Sequence, residues 1–267
     1  MLSPSRRDIN LGWRDIAEGL RLWPVWHLLA TQEVRQRYRR STLGPFWSTN
    51  TVGVQVAAMG YLMGLLFGSL PGRYVPYLAT GWVMWGFWTT AVTDGTSCFI
   101  SAGGIMVHVK RPLSAYLLQT LWRNVIDLAH TSLVIVVVFV IFRVAPTTNM
   151  LWILISLPLV LINLAWISLL VGVVSARFRD VPIIVQSIFT LLFWATPIIY
   201  SPEQLGNKRF IADANPMTHL IDVVRQPLLG NAPSDLDWII VIAMAVAGWA
   251  ITFLFFARFR ARVPYWL

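Results

Sequence analysis

Charge disappears from this chain in long blocks. No Asp, Glu, Lys or Arg occurs at 41–72, 74–93, 144–176, 181–202 or 238–257. A further clean run, 131–142, extends back to Tyr116 if Arg123, Asp127 and His130 are tolerated within it. A helix crosses the hydrocarbon core with about 20 apolar residues, and it satisfies its own backbone hydrogen bonds, which lipid cannot do. The pattern therefore predicts an all-α, polytopic membrane protein. Its six transmembrane helices are expected near 47–70, 75–97, 116–142, 150–175, 181–200 and 237–257.

Basic residues orient these helices. Arg6, Arg7, Arg14, Arg21, Arg35, Arg37, Arg39 and Arg40 precede the first span. Lys110 and Arg111 follow the second, Arg177 and Arg179 the fourth, and Arg258, Arg260 and Arg262 the last. The opposite side holds only Arg73, Arg143, Lys208, Arg209 and Arg225. Loops rich in Lys and Arg stay in the cytoplasm, so both termini are expected inside, in agreement with an even number of crossings. The basic stretch before the first apolar run is far longer than a signal-peptide n-region, so no cleavable signal is expected. The expected location is the bacterial inner membrane.

Composition agrees. The chain is 57% hydrophobic and 12% charged, against about 25% charged in soluble domains, so bilayer is the solvent for most of it. The net charge of +9 then reports loops facing anionic headgroups, with membrane lipids rather than nucleic acid as the partner. The single cysteine, Cys98, excludes an internal disulfide.

Residues 1–46 are expected as a cytoplasmic segment, 47–257 as the transmembrane domain and 258–267 as a cytoplasmic tail. Within the first, Trp23, His27, Ala30, Val34 and Tyr38 recur at helical spacing with Arg35 and Arg39 beside them. That is the pattern of an amphipathic interface helix lying in the headgroup plane. The loop 98–115 is too polar at its end to span, yet apolar enough to pack on something. The outer segment 201–236 carries Pro202, Gly206, Pro216, Pro227, Gly230 and Pro233, and reads as short helices dipping into the outer interface.

Asp94, Arg123, Asp127 and His130 lie within expected spans, where ionisable groups are costly and suggest function. Arg123 and Asp127, four apart, can pair on one helix face, and a structural pair explains them as well as a functional one does. Trp82, Trp85 and Trp88 on the second span, and Phe193, Trp194 and Tyr200 on the fifth, exceed what interfacial belts require. With Tyr61 they suit either lipid-facing packing or a conduit for sugar rings. Gly53, Ala57, Ala58, Gly60 and Gly64 on the first span can permit close helix approach. The chain has no phosphate-binding Gly-x-x-x-x-Gly-Lys-Ser/Thr loop, and neither of its lysines, Lys110 and Lys208, follows a glycine. No zinc-protease or serine-hydrolase motif is present either. No catalytic residue, metal ligand or cofactor is therefore expected in this chain.

Several short motifs resemble one family. Arg35-Gln-Arg-Tyr-Arg-Arg-Ser-Thr-Leu-Gly-Pro-Phe-Trp47 resembles the entry motif of ABC-2 type permeases that export polysaccharides, the O-antigen, capsule and teichoic-acid exporters. Val109-Lys-Arg-Pro-Leu-Ser114, Trp122-Arg-Asn124 with His130, Ala176-Arg-Phe-Arg-Asp-Val181, Thr196-Pro-Ile-Ile-Tyr200, Asn215-Pro216 and Val263-Pro-Tyr-Trp-Leu267 follow in the same order as in that family, the O-antigen branch above all.

The resemblance implies a homodimer of permeases working with two copies of a separate ATPase subunit, which would bind ATP and Mg. It implies a polyprenyl-diphosphate-linked polysaccharide as substrate. It also implies a gate in 201–236 and an ATPase-coupling region over Gly103, Gly104, Ile105, Met106, His108, Lys110, Arg111 and Pro112. Arg35, Arg37, Arg39 and Arg40 would suit the lipid diphosphate, since guanidinium forks match phosphate oxygens. Two other readings compete. One is an ABC-2 exporter of drugs or small lipids. The other is a membrane-embedded transferase acting on polyprenyl-linked sugars, with Asp94 or Asp127 as the only acid–base candidates.

Overall fold

The computed structural model describes residues 4–37, 39, 44, 46–106 and 108–267, and among these it contains helices and no strand. Two N-terminal helices, α1 (Arg6–Arg21) and α2 (Trp23–Arg37), precede α3 (Phe46–Phe67), α4 (Pro71–Met106) and α5 (Leu113–Ile141). Then come α6 (Ile153–Arg177), α7 (Val181–Ala195), the short α8 (Phe210–Asp213), α9 (Pro216–Leu228), α10 (Asp235–Phe259) and a final turn, α11 (Val263–Trp266).

Among the described residues, four helical runs are long and apolar enough to cross a membrane: α3, α5, 148–177 containing α6, and 235–266 containing α10. The other two expected spans differ for identifiable reasons. α4 has 36 residues and forms the centre of the bundle, packed by α3, α5, α6, α7 and α9. A helix that faces protein rather than lipid tolerates polar residues when they are paired. Buried Thr80 and Thr96 accordingly donate to the carbonyls of Pro76 and Thr93, at 3.0 and 2.6 Å. α7 stops after 15 residues because Thr196, the residue before Pro197, is extended (φ −96°, ψ 134°), the conformation proline imposes on its predecessor.

The N-terminal segment also differs from expectation. Two helices stand where one was expected, and the one with cleanly segregated faces is α1. Ser5 and Asp8 form a capping box at its start. Its Gly12 and Gly19, seven residues apart, allow it to lie directly on the bundle. A Cβ on Gly12 would stand 3.1 Å from Ala257 Cβ, and one on Gly19 2.1 Å from Ser114 Oγ. In α2, Ala30 and Val34 are buried as the stripe requires, but Trp23 is exposed. Tyr38, Arg40 and residues 41–43 and 45 lie outside the described residues.

Of the glycines on α3, Gly60 alone makes a close approach, and tighter ones occur elsewhere. Gly53 and Gly64 have ordinary clearance (3.9 and 3.8 Å), and Gly60 approaches only a Val75 methyl at 3.1 Å. The tight crossing is α4 on α6, where a Cβ on Gly172 would stand 2.8 Å from the Gly95 carbonyl oxygen. We expect Gly172→Leu to destabilise the detergent-purified protein by roughly 1–3 kcal/mol or more, the range for overpacking. Gly86→Ala, on the central helix α4 but with nothing within 4 Å, leaves the melting temperature unchanged or slightly raised. Thermal unfolding of the two variants checks this.

Candidate functional site

Functional side chains gather at three levels. At the base of the bundle, α4 continues to Met106, so the expected coupling loop 98–115 is helical over its first half. What remains is a short elbow before α5, with Pro112 as the residue preceding that helix. Gly103 packs against Leu267, where a Cβ would stand 3.3 Å from the Leu267 Cβ. Gly104, Ile105, His108, Val109 and Lys110 are exposed, while Met106 packs at the edge of the core. Arg111 is half-buried and faces a polar cavity of about 310 Å³ also lined by Glu33 and Arg123. The elbow thus projects a small apolar knuckle beside a cation.

α5 begins immediately behind this elbow, and Pro112 offers its backbone no side-chain cap. The cap comes from α1 instead. Asp15, buried, accepts from the backbone N–H groups of Leu113 (3.2 Å) and Ser114 (3.0 Å) and from the Ser114 hydroxyl (2.9 Å). A carboxylate on a helix N-terminus is favoured by both the free N–H groups and the dipole. Arg260, from the far end of the chain, donates to it at 3.2 Å. Sequence reasoning missed Asp15. Its only signal was an acid on the otherwise apolar face of α1.

In the middle of the bundle, Arg123 on α5 is the pivot. It donates to Asp94 on α4 (2.8 Å) and to Glu33 on α2 (3.0 Å). Asn124 adds a bond to Asp94 at 3.0 Å, and Gln119 bonds Glu33. Arg123 therefore pairs across helices and not with Asp127, the partner that the four-residue spacing suggested. Asp127 meets Arg37 of α2 at 3.4 Å. His130 is tied to its own helix through the Ile126 carbonyl at 2.7 Å, with the Phe46 ring edge beside it. Arg35 and Arg39 are exposed, and Arg40 lies outside the described residues. Among the described residues, no three His, Cys, Asp or Glu side chains gather as a metal site would need.

The expected aromatic group divides. Trp82 and Trp85 of α4 meet Phe193 of α7 edge-on or tilted, with centroids 5.6 and 5.7 Å apart, and Phe193 meets Trp194 at 5.4 Å. Trp82 also donates to Gln55 of α3 at 3.2 Å, so the row bridges three helices. Trp194 is 69% exposed, which leaves the row open to the outside of the chain. Tyr200 follows, its hydroxyl donating to the Trp194 carbonyl at 3.3 Å. Trp88 does not join: it is fully buried in the core and faces no surface. Tyr61 is exposed on a separate groove between α3 and α5.

At the opposite end of the bundle from the elbow, the segment 201–236 is less loop-like than expected. α9 is almost wholly buried and pinned by charge. Arg225 lies over the Tyr77 ring (4.1 Å), donates to the Pro197 carbonyl (2.6 Å) and pairs with Asp222. His219 stands 2.7 Å from the Asp237 carboxylate through Nδ1 and 2.8 Å from the Asp213 carbonyl through Nε2. Both ring nitrogens face acceptors, so the arrangement suits the doubly protonated imidazolium. Hydrogen bonding to Asp237 raises the His219 pKa above its ordinary value. The bonus to stability is therefore complete below about pH 6.5, the unperturbed histidine value, and is lost as pH rises through the elevated native value. We expect the melting temperature to fall across that alkaline window, and His219→Gln to flatten that part of the profile.

Apolar spans around a charged central pivot, with an exposed elbow at one end and a buried helical cap at the other, define a polytopic membrane protein. The chain belongs to the ABC-2 type transporter family, whose model matches residues 24–229. It is similar to two proteins from Klebsiella pneumoniae, each described as the O-antigen export system permease protein RfbA. One is 23% identical over 75% of this chain and 78% of the relative, the other 22% identical over 90% and 92%. The RfbA permease protein of Myxococcus xanthus is 21% identical over 86% of this chain and 90% of its own length.

Proposed function

We propose that this chain is half of a homodimeric permease that exports a polyprenyl-diphosphate-linked polysaccharide across the bacterial inner membrane, driven by two copies of a separate ATPase. The observation that carries this reading is the aromatic row of Trp82, Phe193 and Trp194, backed by buried Trp85 and open to the outside through Trp194. A drug or lipid exporter has no need of clustered aromatic rings along an open side. A glycan does, because sugar rings slide over aromatic faces without specific hydrogen bonds to break. The names of the relatives favour the same substrate class. In this reading α3, α4, α5, α6, α7 with its extended tail, and α10 make six crossings, with both termini in the cytoplasm. The elbow at 105–111 receives the ATPase, and Arg35, Arg37, Arg39 and Arg40 meet the lipid diphosphate at the inner face.

The geometry favours the transport reading over a transferase: Asp94 is held by Arg123 and Asn124, and Asp127 faces Arg37, so both acid–base candidates are engaged in contacts between helices. The test is export in cells. Trp85→Ala with Phe193→Ala is expected to cut surface glycan at least tenfold while lipid-linked glycan accumulates inside and the protein remains in the membrane. Normal surface glycan in that variant overturns the conduit.

A further inference from the structure

The cavity beneath α1 has no role in the transport path described above. It lies between α5, α6 and α10, has a volume of about 630 Å³, and is walled by Leu117, Leu121, Leu161, Ala165, Trp249 and Phe253 among others. Its one hydroxyl-bearing wall residue, Ser114, already donates to the Asp15 carbonyl at 2.7 Å. Water entering here would find almost no partner, and an empty apolar void of this size forfeits dispersion contacts along its whole lining. The walls run from Leu117 to Val125 on α5 and from Leu169 to Leu161 on α6. Eight residues of helix span about 12 Å, so the groove reaches from the level of α1 well into the apolar layer.

The mouth is chemically different from the walls. Trp13 and Leu20 of α1 are 60% and 55% exposed there. Each is followed directly by an exposed arginine, Arg14 or Arg21. Arg14 is partly offset by Glu18 at 2.6 Å, while Arg21 has no partner among the described residues. An indole at the mouth, an apolar slot within and two long cationic side chains on the adjoining exposed face of α1, able to reach round to the mouth, match one molecule end to end. We infer that this groove seats a single acidic phospholipid of the inner leaflet, with one acyl chain between α5, α6 and α10 and its headgroup beside Arg14 and Arg21.

The seat also has a consequence. The lipid fills the space under the helix whose Asp15 caps α5, directly behind the elbow, and so keeps that cap in place. The choice of leaflet rests on the orientation proposed above. The seat itself does not, because it is read from bound lipid rather than from export or ATPase activity.

The experiment is native mass spectrometry of the full-length permease extracted from bacterial membranes in mild detergent, with the retained lipids identified. The parent protein is expected to keep about one acidic phospholipid per chain. Ala165→Phe with Ala250→Phe, which fills the slot, is expected to keep none. Ile251→Phe, exposed on the face of α10 turned away from the slot, keeps the parent's complement. Arg14→Gln with Arg21→Gln changes only surface residues and leaves packing intact. It is expected to lower retention of acidic lipid by roughly tenfold without lowering that of zwitterionic lipid. Equal lipid retention in the slot-filled and Ile251→Phe proteins overturns the inference. So does a parent protein that arrives without lipid, or with a polypeptide in its place.

Discussion

A charge placed among apolar helices must find its counter-charge inside the protein, and Arg123 is where this chain meets that demand. Its guanidinium has Asp94 on one side and Glu33 on the other. One side chain on α5 thereby fixes the central helix α4 and α2, which carries too many polar residues to be drawn in by burial alone. The three side chains are only partly buried, so solvent screening makes losing one partner cheaper than the about 3–5 kcal/mol of a fully buried pair. A guanidinium shared by two carboxylates is better protected, because either acid can move while the other stays. The same pivot brings the arginine-rich end of α2 against the bundle, where Arg37 meets Asp127.

Both ends of the bundle follow the same logic. Below, Asp15 satisfies the first N–H groups of α5 and is itself neutralised by Arg260, so the two ends of the chain close on each other beside the elbow. Above, Arg225 and His219 hold α9 against α4, the tail of α7 and α10. That segment is therefore a docked cap rather than a loose loop. With both ends held, the elbow at the base and Trp194 at the end of the aromatic row remain exposed.

The hydrophobic pattern made the all-helical membrane fold legible, because water penalises repeated charge-free runs of span length and a bilayer rewards them. α4 and α7 were the least regular in outcome. The pattern records contact with lipid, whereas α4 faces protein and α7 is cut short by Pro197. The ionisable residues were legible as a set but not as pairs: spacing along one helix suggested Arg123 with Asp127, and only the docking of α2 reveals Glu33 as the partner. Asp15, His219 and Arg225 escaped notice for a similar reason. Each acts on an element distant in sequence, and nothing local distinguishes a buried cap or a doubly donating histidine from a surface residue. Trp88 was grouped with the aromatic ledge by composition, while the helical turn carries it into the core.

The central claim is that the exposed elbow at 105–111 receives force from another protein. The most direct test is affinity purification from the native host through a tag on the C-terminus, for the parent and for Lys110→Ala with Ile105→Asp. The account predicts an ATP-binding protein in equal amount with the parent, lost or strongly reduced in the variant while the permease itself stays intact in the membrane. A permease that purifies with no ATPase would contradict the account, as would one whose ATPase is indifferent to the elbow.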